Sequence, residues 1–142
     1  MTSGTVIPRK TGATAVLSRQ GHPVITSATG SEITVVTRPS EAGFNPLDLL
    51  YASLSGCLVL SARIAASERG VLDKLRSVRA SVKGTKAADP PSRIARFEIE
   101  ISIDADLDEA AKDEIVAAAE RICTVSNTLH GQVSFEVSRV PQ

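Results

Sequence analysis

The pattern of apolar and polar residues divides the chain into strand-like and helix-like segments. Residues 5–37 are rich in Thr, Val and Ile with turn formers between them, which predicts two to four short strands, the clearest at 33–36. Asn45-Pro46 predicts a helix start, because Asn is a good N-cap and Pro suits the first helical position. Apolar residues cover most of this helix to about Arg69, and Gly70 ends it. We expect a central helix buried on several sides.

The second half of the chain contains a hairpin, a second helix and a closing strand. Apolar residues alternate with polar ones over residues 78–82 and again over 97–103, which predicts an antiparallel hairpin with one buried face. Residues 108–122, rich in Ala and Glu, predict a helix. A tight connection is expected at 123–129 and a strand at 133–137. Helices mixed with antiparallel strands in this order indicate an α+β fold.

Length and composition limit the classes of function. The 142 residues suit a single domain over residues 1–142, and 42% hydrophobic against 3% aromatic residues predicts an aliphatic core. Sixteen basic residues balance sixteen acidic ones, so neither nucleic acid nor an anionic membrane is an expected partner. The N-terminal residues lack the apolar run of a signal peptide, which favours a cytoplasmic protein.

The candidate chemistry reduces to two cysteines. Phosphate-binding, dinucleotide-binding and metalloprotease motifs are absent from the sequence, and His22 and His130 lack metal-ligand spacing, so neither a metal nor a cofactor is expected. Cys57 shares one side of the central helix with Leu54 and Ser61, among others. Cys123 precedes turn and cap formers whose backbone N–H groups can stabilise a thiolate. The residues alone leave three roles open for the two cysteines: inert packing, one structural bridge or a reactive pair.

The two cysteine motifs resemble those of the OsmC/Ohr superfamily, the osmotically inducible and organic-hydroperoxide-resistance proteins. The first motif is Asn-Pro-Leu-Asp-Leu-Leu-Tyr-Ala-Ser-Leu-Ser-Gly-Cys at residues 45–57, and the second is Ile-Cys-Thr-Val-Ser-Asn-Thr-Leu at residues 122–129. The resemblance covers nearly the whole chain. It implies antiparallel sheets around a long central helix with a second helix, in an intertwined homodimer whose two active sites lie between subunits.

The resemblance also implies a thiol-dependent peroxidase that acts in oxidative stress defence. In that family, one cysteine attacks an organic hydroperoxide and becomes a sulfenic acid, which the second resolves as a disulfide. By position, Cys57 is the peroxidatic cysteine and Cys123 the resolving one. An external dithiol reductant would restore the thiols, and no cofactor is needed.

A family arginine lowers the pKa of the peroxidatic cysteine and is held by a glutamate. Arg38 matches the OsmC-type location, and Arg19 lies nearer the one used by the hydroperoxide-resistance branch; we expect Arg38 to serve. The glutamate position holds Leu47, and the next residue, Asp48, either supports the arginine or simply caps the positive end of the helix. The proline that commonly follows the second cysteine is replaced by Thr124.

Two other functions fit the same residues. A binding protein could hold a small apolar ligand in the same pocket, with peroxidase chemistry lost, as the changes at Leu47 and Thr124 favour. A redox sensor or disulfide-exchange protein could use Cys57 and Cys123 without turning over peroxide.

Overall fold

A computed structural model describes residues 9–141 of the chain. They form two compact units, one up to Leu49 and the other from Leu50 onward. The first unit contains a three-stranded antiparallel sheet in the order β1-β2-β3. Its strands, which agree with the predicted number, are β1 (Ala13–Val16), β2 (Val24–Ser27) and β3 (Glu32–Thr34). The part of the predicted strand region at residues 5–8 lies outside the described residues.

The long helix α1 (Pro46–Glu68) starts and stops where the sequence predicts. Asn45 Oδ1 accepts from the Asp48 N–H at 2.8 Å, and Asp48 Oδ2 accepts from the Asn45 N–H at 3.1 Å, which is a reciprocal capping box. At the other end, Gly70 has a φ of +71°, and the N–H groups of Gly70 and Val71 reach back to carbonyls of the last turn. This left-handed conformation favours glycine and terminates the helix.

The predicted hairpin is confirmed as two long antiparallel strands, β4 (Leu75–Lys86) and β5 (Ile94–Ala105). Gly84 of β4 leaves room for an aromatic side chain from α1, because a Cβ there would lie 2.7 Å from Tyr51 Oη. The Tyr51 ring in turn meets Phe97 of β5 edge to face, with ring centroids 6.2 Å apart. One aromatic pair therefore joins α1 to the sheet.

Helix α2 (Glu109–Ile122) is capped by the Asp108 carboxylate and packs against the C-terminal half of α1. Small side chains dominate this contact. The buried cluster consists of Ala62, Ala65 and Ala66 from α1 with Ile115, Ala118 and Ala119 from α2. The core here is aliphatic, as the composition predicts.

Two predicted segments differ in the structure. The connection expected at 123–129 is a helix, α3 (Thr124–His130), because Cys123 caps its first turn and Val125 packs against the core cluster of Leu54 and Leu58. The strand expected at 133–137 has no regular secondary structure, since no strand of this chain pairs with it among the described residues. Apolar alternation marks a segment that can form a strand, whereas a strand also needs a partner.

The α+β fold class is confirmed, with two antiparallel sheets and three α-helices in the described residues. By length and composition alone, α1 would also suit a membrane span, with a mean hydropathy of 1.6 in its most apolar window. The core helix of a folded domain has the same composition. The buried residues of α1 pack against β4, β5, α2 and α3 within the unit from Leu50 onward.

Candidate active site

The fold brings Cys57 and Cys123 together, although 66 positions separate them in the sequence. Cys57 is half-buried on α1, and the Cys123 thiol is one of the groups that lower its pKa. Both side chains belong to one apolar cluster with Leu54 and Leu58. Neither cysteine is in a disulfide, so the structure shows the dithiol form of the pair.

Cys123 carries a thiol and also connects two helices, α2 and α3. Its N–H donates to the Ala119 carbonyl at 3.0 Å and ends α2. Its Sγ accepts from the Ser126 N–H at 3.4 Å and its carbonyl from the Asn127 N–H at 3.0 Å, which begins α3. The side chain is fully buried, with 0% of its surface exposed. The position of this sulfur is therefore set by two helix ends.

Four hydrogen-bond donors act on the Cys57 sulfur. Burial raises the pKa of Cys57, but the Cys123 thiol, the Val125 N–H, the Ser61 hydroxyl and the Thr124 N–H together lower it below the ordinary thiol value. All four donors belong to the unit that begins at Leu50. Cys57 is therefore the cysteine that ionises more readily.

The pKa of Cys123 is shifted in the opposite direction. Burial raises the pKa of Cys123, and its hydrogen bond to Cys57 raises it further because this bond uses the Cys123 proton. The Ser126 N–H acts the other way but does not reverse the direction. The pair is therefore asymmetric, with a thiolate favoured on Cys57 and a protonated thiol on Cys123.

The surroundings of the two sulfurs are largely aliphatic. Partly buried side chains from β4, β5 and α3 complete the cluster: Ala80, Val82, Phe97, Ile101 and Val125. Phe97 is the one aromatic member, and aliphatic side chains form the rest, as predicted from the composition. Beside the cluster lies a cavity of about 190 Å³, lined by Leu54, Phe97, Ile99, Ser126, Leu129 and His130.

Arg38 and Arg19 lie in the other compact unit and are both exposed. The loop that carries Arg38 is ordered by Glu41, whose carboxylate accepts from the Arg38 N–H at 3.2 Å and bonds His22 Nε2 at 2.8 Å. The His22 hydrogen bond is the largest of the causes that lower the pKa of Glu41. The role of Arg38 beside the thiolate stays a prediction, and so does the choice between Arg38 and Arg19.

Asp48 has the capping role that the sequence left open. Its carboxylate and the Asn45 side chain exchange hydrogen bonds with each other's N–H groups at the start of α1. A carboxylate is also favourable at this positive end of the helix. Support of the arginine by Asp48 stays a prediction.

The two histidines have local partners. His130 Nδ1 lies 2.8 Å from the Ser126 carbonyl, so this nitrogen carries the proton and donates to it. His22 bonds Glu41 in the other unit. Over residues 9–141, no group of three or more Cys, His, Asp or Glu side chains is arranged to hold a metal ion.

Three of the groups that act on Cys57 had no assigned role in the sequence-based prediction. The helical period places Ser61 on the side of Cys57, one turn later, but residue types alone do not identify its hydroxyl as a donor. The Val125 and Thr124 N–H groups point to Cys57 only because α3 begins there. Thr124 differs from the family's proline in having an N–H to donate.

We expect Ser61→Ala to slow alkylation of Cys57 by iodoacetamide at neutral pH by roughly threefold to tenfold, because a donor to the thiolate is lost. The rate should rise with pH through a midpoint that is higher in the variant than in the wild type. Mass spectrometry of the Cys57 peptide measures both quantities. Ser55→Ala is the matched control, since the Ser55 hydroxyl donates to the Ala52 carbonyl. Equal rates in the wild type and Ser61→Ala would refute the role of Ser61.

Solved structures share the fold of this chain at low sequence identity. An OsmC-like protein from Mycoplasma pneumoniae is 23% identical with a TM-score of 0.77, covering 88% of this chain and 90% of its own. An organic hydroperoxide resistance protein OsmC from Legionella pneumophila is 20% identical with a TM-score of 0.64, covering 87% and 90%. The organic hydroperoxide resistance protein OhrB of Bacillus subtilis is 22% identical with a TM-score of 0.63, covering 85% and 90%.

The sequence itself matches a protein family. No curated protein matches the chain at a significant level. The model of the OsmC-like protein family, however, matches residues 39–138, a span that includes both cysteines and every helix of the structure. The resemblance of the two cysteine motifs is thereby confirmed, and the chain belongs to the OsmC-like family.

Proposed function

We propose that this protein is a thiol-dependent reductase of organic hydroperoxides with Cys57 as the peroxidatic and Cys123 as the resolving cysteine. Membership of the OsmC-like family supports a redox or stress role. The observation that carries the finer proposal is the asymmetric pair, in which four donors favour a thiolate on half-buried Cys57 and the neighbouring Cys123 keeps its proton. A thiolate is the nucleophilic form of cysteine.

The proposed reaction consumes one hydroperoxide per disulfide formed. The Cys57 thiolate attacks the terminal oxygen of the hydroperoxide, the O–O bond breaks, and the alcohol leaves after taking a proton. The resulting Cys57 sulfenic acid is attacked by Cys123, which forms the disulfide and releases water. An external dithiol then returns both sulfurs to thiols. We place this cycle in the cytoplasm, where such dithiols keep cysteines reduced.

The apolar surroundings of the pair support an organic substrate. Leu54 and Phe97 belong to the cluster that holds both cysteines and also line the cavity of about 190 Å³. A hydrocarbon group is stabilised against such a surface because both lose contact with water. Exclusion of water also suits a sulfenic acid that must survive until Cys123 attacks.

A homodimer is proposed from the exposed apolar residues at the C-terminus. Val133, Phe135 and Val137 alternate with polar residues and are 55%, 85% and 92% exposed in the single chain. Leu60 and Ile64 of α1 are also exposed, at 53% and 46%. A second copy of the chain would cover these residues and give residues 133–137 the strand partner that they lack here.

Binding of a small apolar ligand is the alternative function. The cavity beside the cysteine cluster supports it, because its walls combine the apolar Leu54, Phe97 and Ile99 with the polar side chains of Ser126 and His130. This combination is typical of pockets that hold a small molecule in one orientation. In that case the cysteines would survive excess hydroperoxide.

We expect cumene hydroperoxide to consume both thiols of the reduced protein in equal amounts, because one disulfide forms per hydroperoxide. Free-thiol titration after rapid removal of the peroxide measures the loss. Cys57→Ser should retain its remaining thiol, whereas Cys123→Ser should lose the Cys57 thiol to sulfenic and higher oxidation states. Survival of both wild-type thiols would overturn the reductase and favour the binding protein. Loss of thiols without turnover in the presence of excess dithiothreitol would indicate a sensor.

Arg38→Ala is expected to slow the reaction of Cys57 with cumene hydroperoxide by at least about tenfold, because a guanidinium would both stabilise the thiolate and orient the peroxide. Stopped-flow measurement under single-turnover conditions gives the rate. Arg19→Ala is the matched control, since Arg19 is also an exposed arginine of the same unit. A slower reaction of Arg19→Ala together with a wild-type rate for Arg38→Ala would assign the role to Arg19.

Phe135→Ser should weaken the proposed homodimer by at least about tenfold, because a large apolar side chain would lose its burial. Sedimentation velocity over a concentration series measures the dissociation constant. Gln132→Ala, a nearby change that removes no apolar side chain, is the control. A wild-type protein that stays monomeric at every concentration would contradict the proposal.

A further inference from the structure

We propose that Glu41 and His22 are positioning residues for Arg38: the Glu41 carboxylate fixes the backbone of Arg38, and His22 fixes the carboxylate. The inference deepens the proposed function, since it rests on Arg38 acting on Cys57. It also gives the arginine a support in a chain where Leu47 occupies the position of the family glutamate. Glu41 provides this support through the backbone of Arg38.

The backbone of Arg38 is bonded to Glu41 through both its donor and its acceptor. The Arg38 N–H donates to Glu41 Oε2 at 3.2 Å, and the Arg38 carbonyl accepts from the Glu41 N–H at 3.1 Å. Pro39 follows directly and restricts the backbone conformation of the residue before it. Glu41 and Pro39 together therefore set the conformation from which the Arg38 side chain projects.

The loop that carries Arg38, residues 37–43, is closed at its base. The Val36 N–H donates to the Phe44 carbonyl at 3.0 Å. Gly43 has a φ of +148°, and a Cβ there would lie 2.5 Å from Val36 Cγ1, so the close return of the chain requires glycine. The ends of the loop are thus held together, and Arg38 and Glu41 are bonded to each other within it.

His22 links this loop to the turn before β2. A carboxylate can only accept, so His22 Nε2 donates to Glu41 Oε1, at 2.8 Å. The carbonyl of the neighbouring Pro23 accepts from the N–H of Val35 at 2.9 Å, and Val35 is buried. Two adjacent residues therefore hold the chain on both sides of Arg38, one at Val35 and the other at Glu41.

The His22–Glu41 pair has more effect on this loop than on the stability of the fold. The two side chains are 36% and 35% exposed, and pairs so accessible to water contribute little to folding. Both oxygens of Glu41 are nevertheless used, one by His22 and one by the Arg38 N–H, so the carboxylate keeps one orientation. Loss of either bond should therefore loosen the loop while the protein stays folded.

Hydrogen exchange of the full chain, followed by NMR, tests the hold on the loop. In Glu41→Ala the Arg38 amide should exchange at least about threefold faster than in the wild type, because it loses its acceptor. His22→Ala should cause a smaller increase, and His22→Gln, whose amide can donate in place of Nε2, should restore the wild-type value. Glu32→Gln, an exposed change in β3, is the control. Equal exchange of the Arg38 amide in the wild type and Glu41→Ala would overturn the inference.

Alkylation of Cys57 by iodoacetamide tests whether Glu41 acts through Arg38. Glu41→Ala should slow the alkylation at neutral pH by about twofold to tenfold, and Arg38→Ala at least as much, because less Cys57 is ionised. The double variant should be no slower than Arg38→Ala, since an absent arginine needs no positioning. His22→Gln should react faster than His22→Ala. Effects that multiply in the double variant would show that Glu41 acts independently of Arg38 and would contradict the inference.

Failure of this inference is distinguishable from failure of the proposed function, because alkylation needs no hydroperoxide. If both thiols survive cumene hydroperoxide while the alkylation rates follow the expected pattern, the reductase function is lost and the inference is kept. If Arg38→Ala slows the reaction with cumene hydroperoxide and Glu41→Ala does not, the function is kept and the inference is lost. A wild-type alkylation rate in Arg38→Ala would remove the stabilisation of the thiolate by Arg38 and the inference together.

Discussion

A charged sulfur in an apolar layer is stable only when hydrogen-bond donors surround it, and this requirement organises the unit that begins at Leu50. Cys57 lies against leucines that cannot solvate it, so the donors come from one turn along its own helix and from the start of α3. Helix α3 can supply them only if Cys123 ends α2 and caps α3 at that point. The chemistry of one cysteine thus depends on the backbone geometry of the other.

The elements with strong local sequence signals could be predicted from the sequence alone. The hairpin of β4 and β5, the capped start of α1 and the glycine stop at Gly70 each depend on local residue types that act in the same direction. Helix α3 could not be predicted in this way, because Ser, Asn and Thr favour turns. The segment is helical only because Val125 packs in the core and Cys123 caps the first turn. The segment 133–137 has the pattern of a strand and lacks a partner in this chain.

The sequence predicts the two cysteines of the candidate site, but it does not predict most of the hydrogen-bond donors to Cys57. The two motifs predict Cys57 and Cys123 as a pair, and the structure places both side chains in one apolar cluster. Asp48 illustrates the limit: the sequence left it two roles, and the bonds with Asn45 give it the capping one. The donors from α3 are backbone groups, which residue identities cannot reveal until the path of the chain is known.

The capping role of Cys123 has an evolutionary consequence. Serine is among the best N-cap residues, and its hydroxyl could take over the bond from the Ser126 N–H as well as donate to Cys57. A single exchange of sulfur for oxygen would then abolish the proposed disulfide while leaving both helix ends intact. Redox activity can therefore be gained or lost in this architecture almost independently of stability, which gives one scaffold a short path between an enzyme and a simple binding protein.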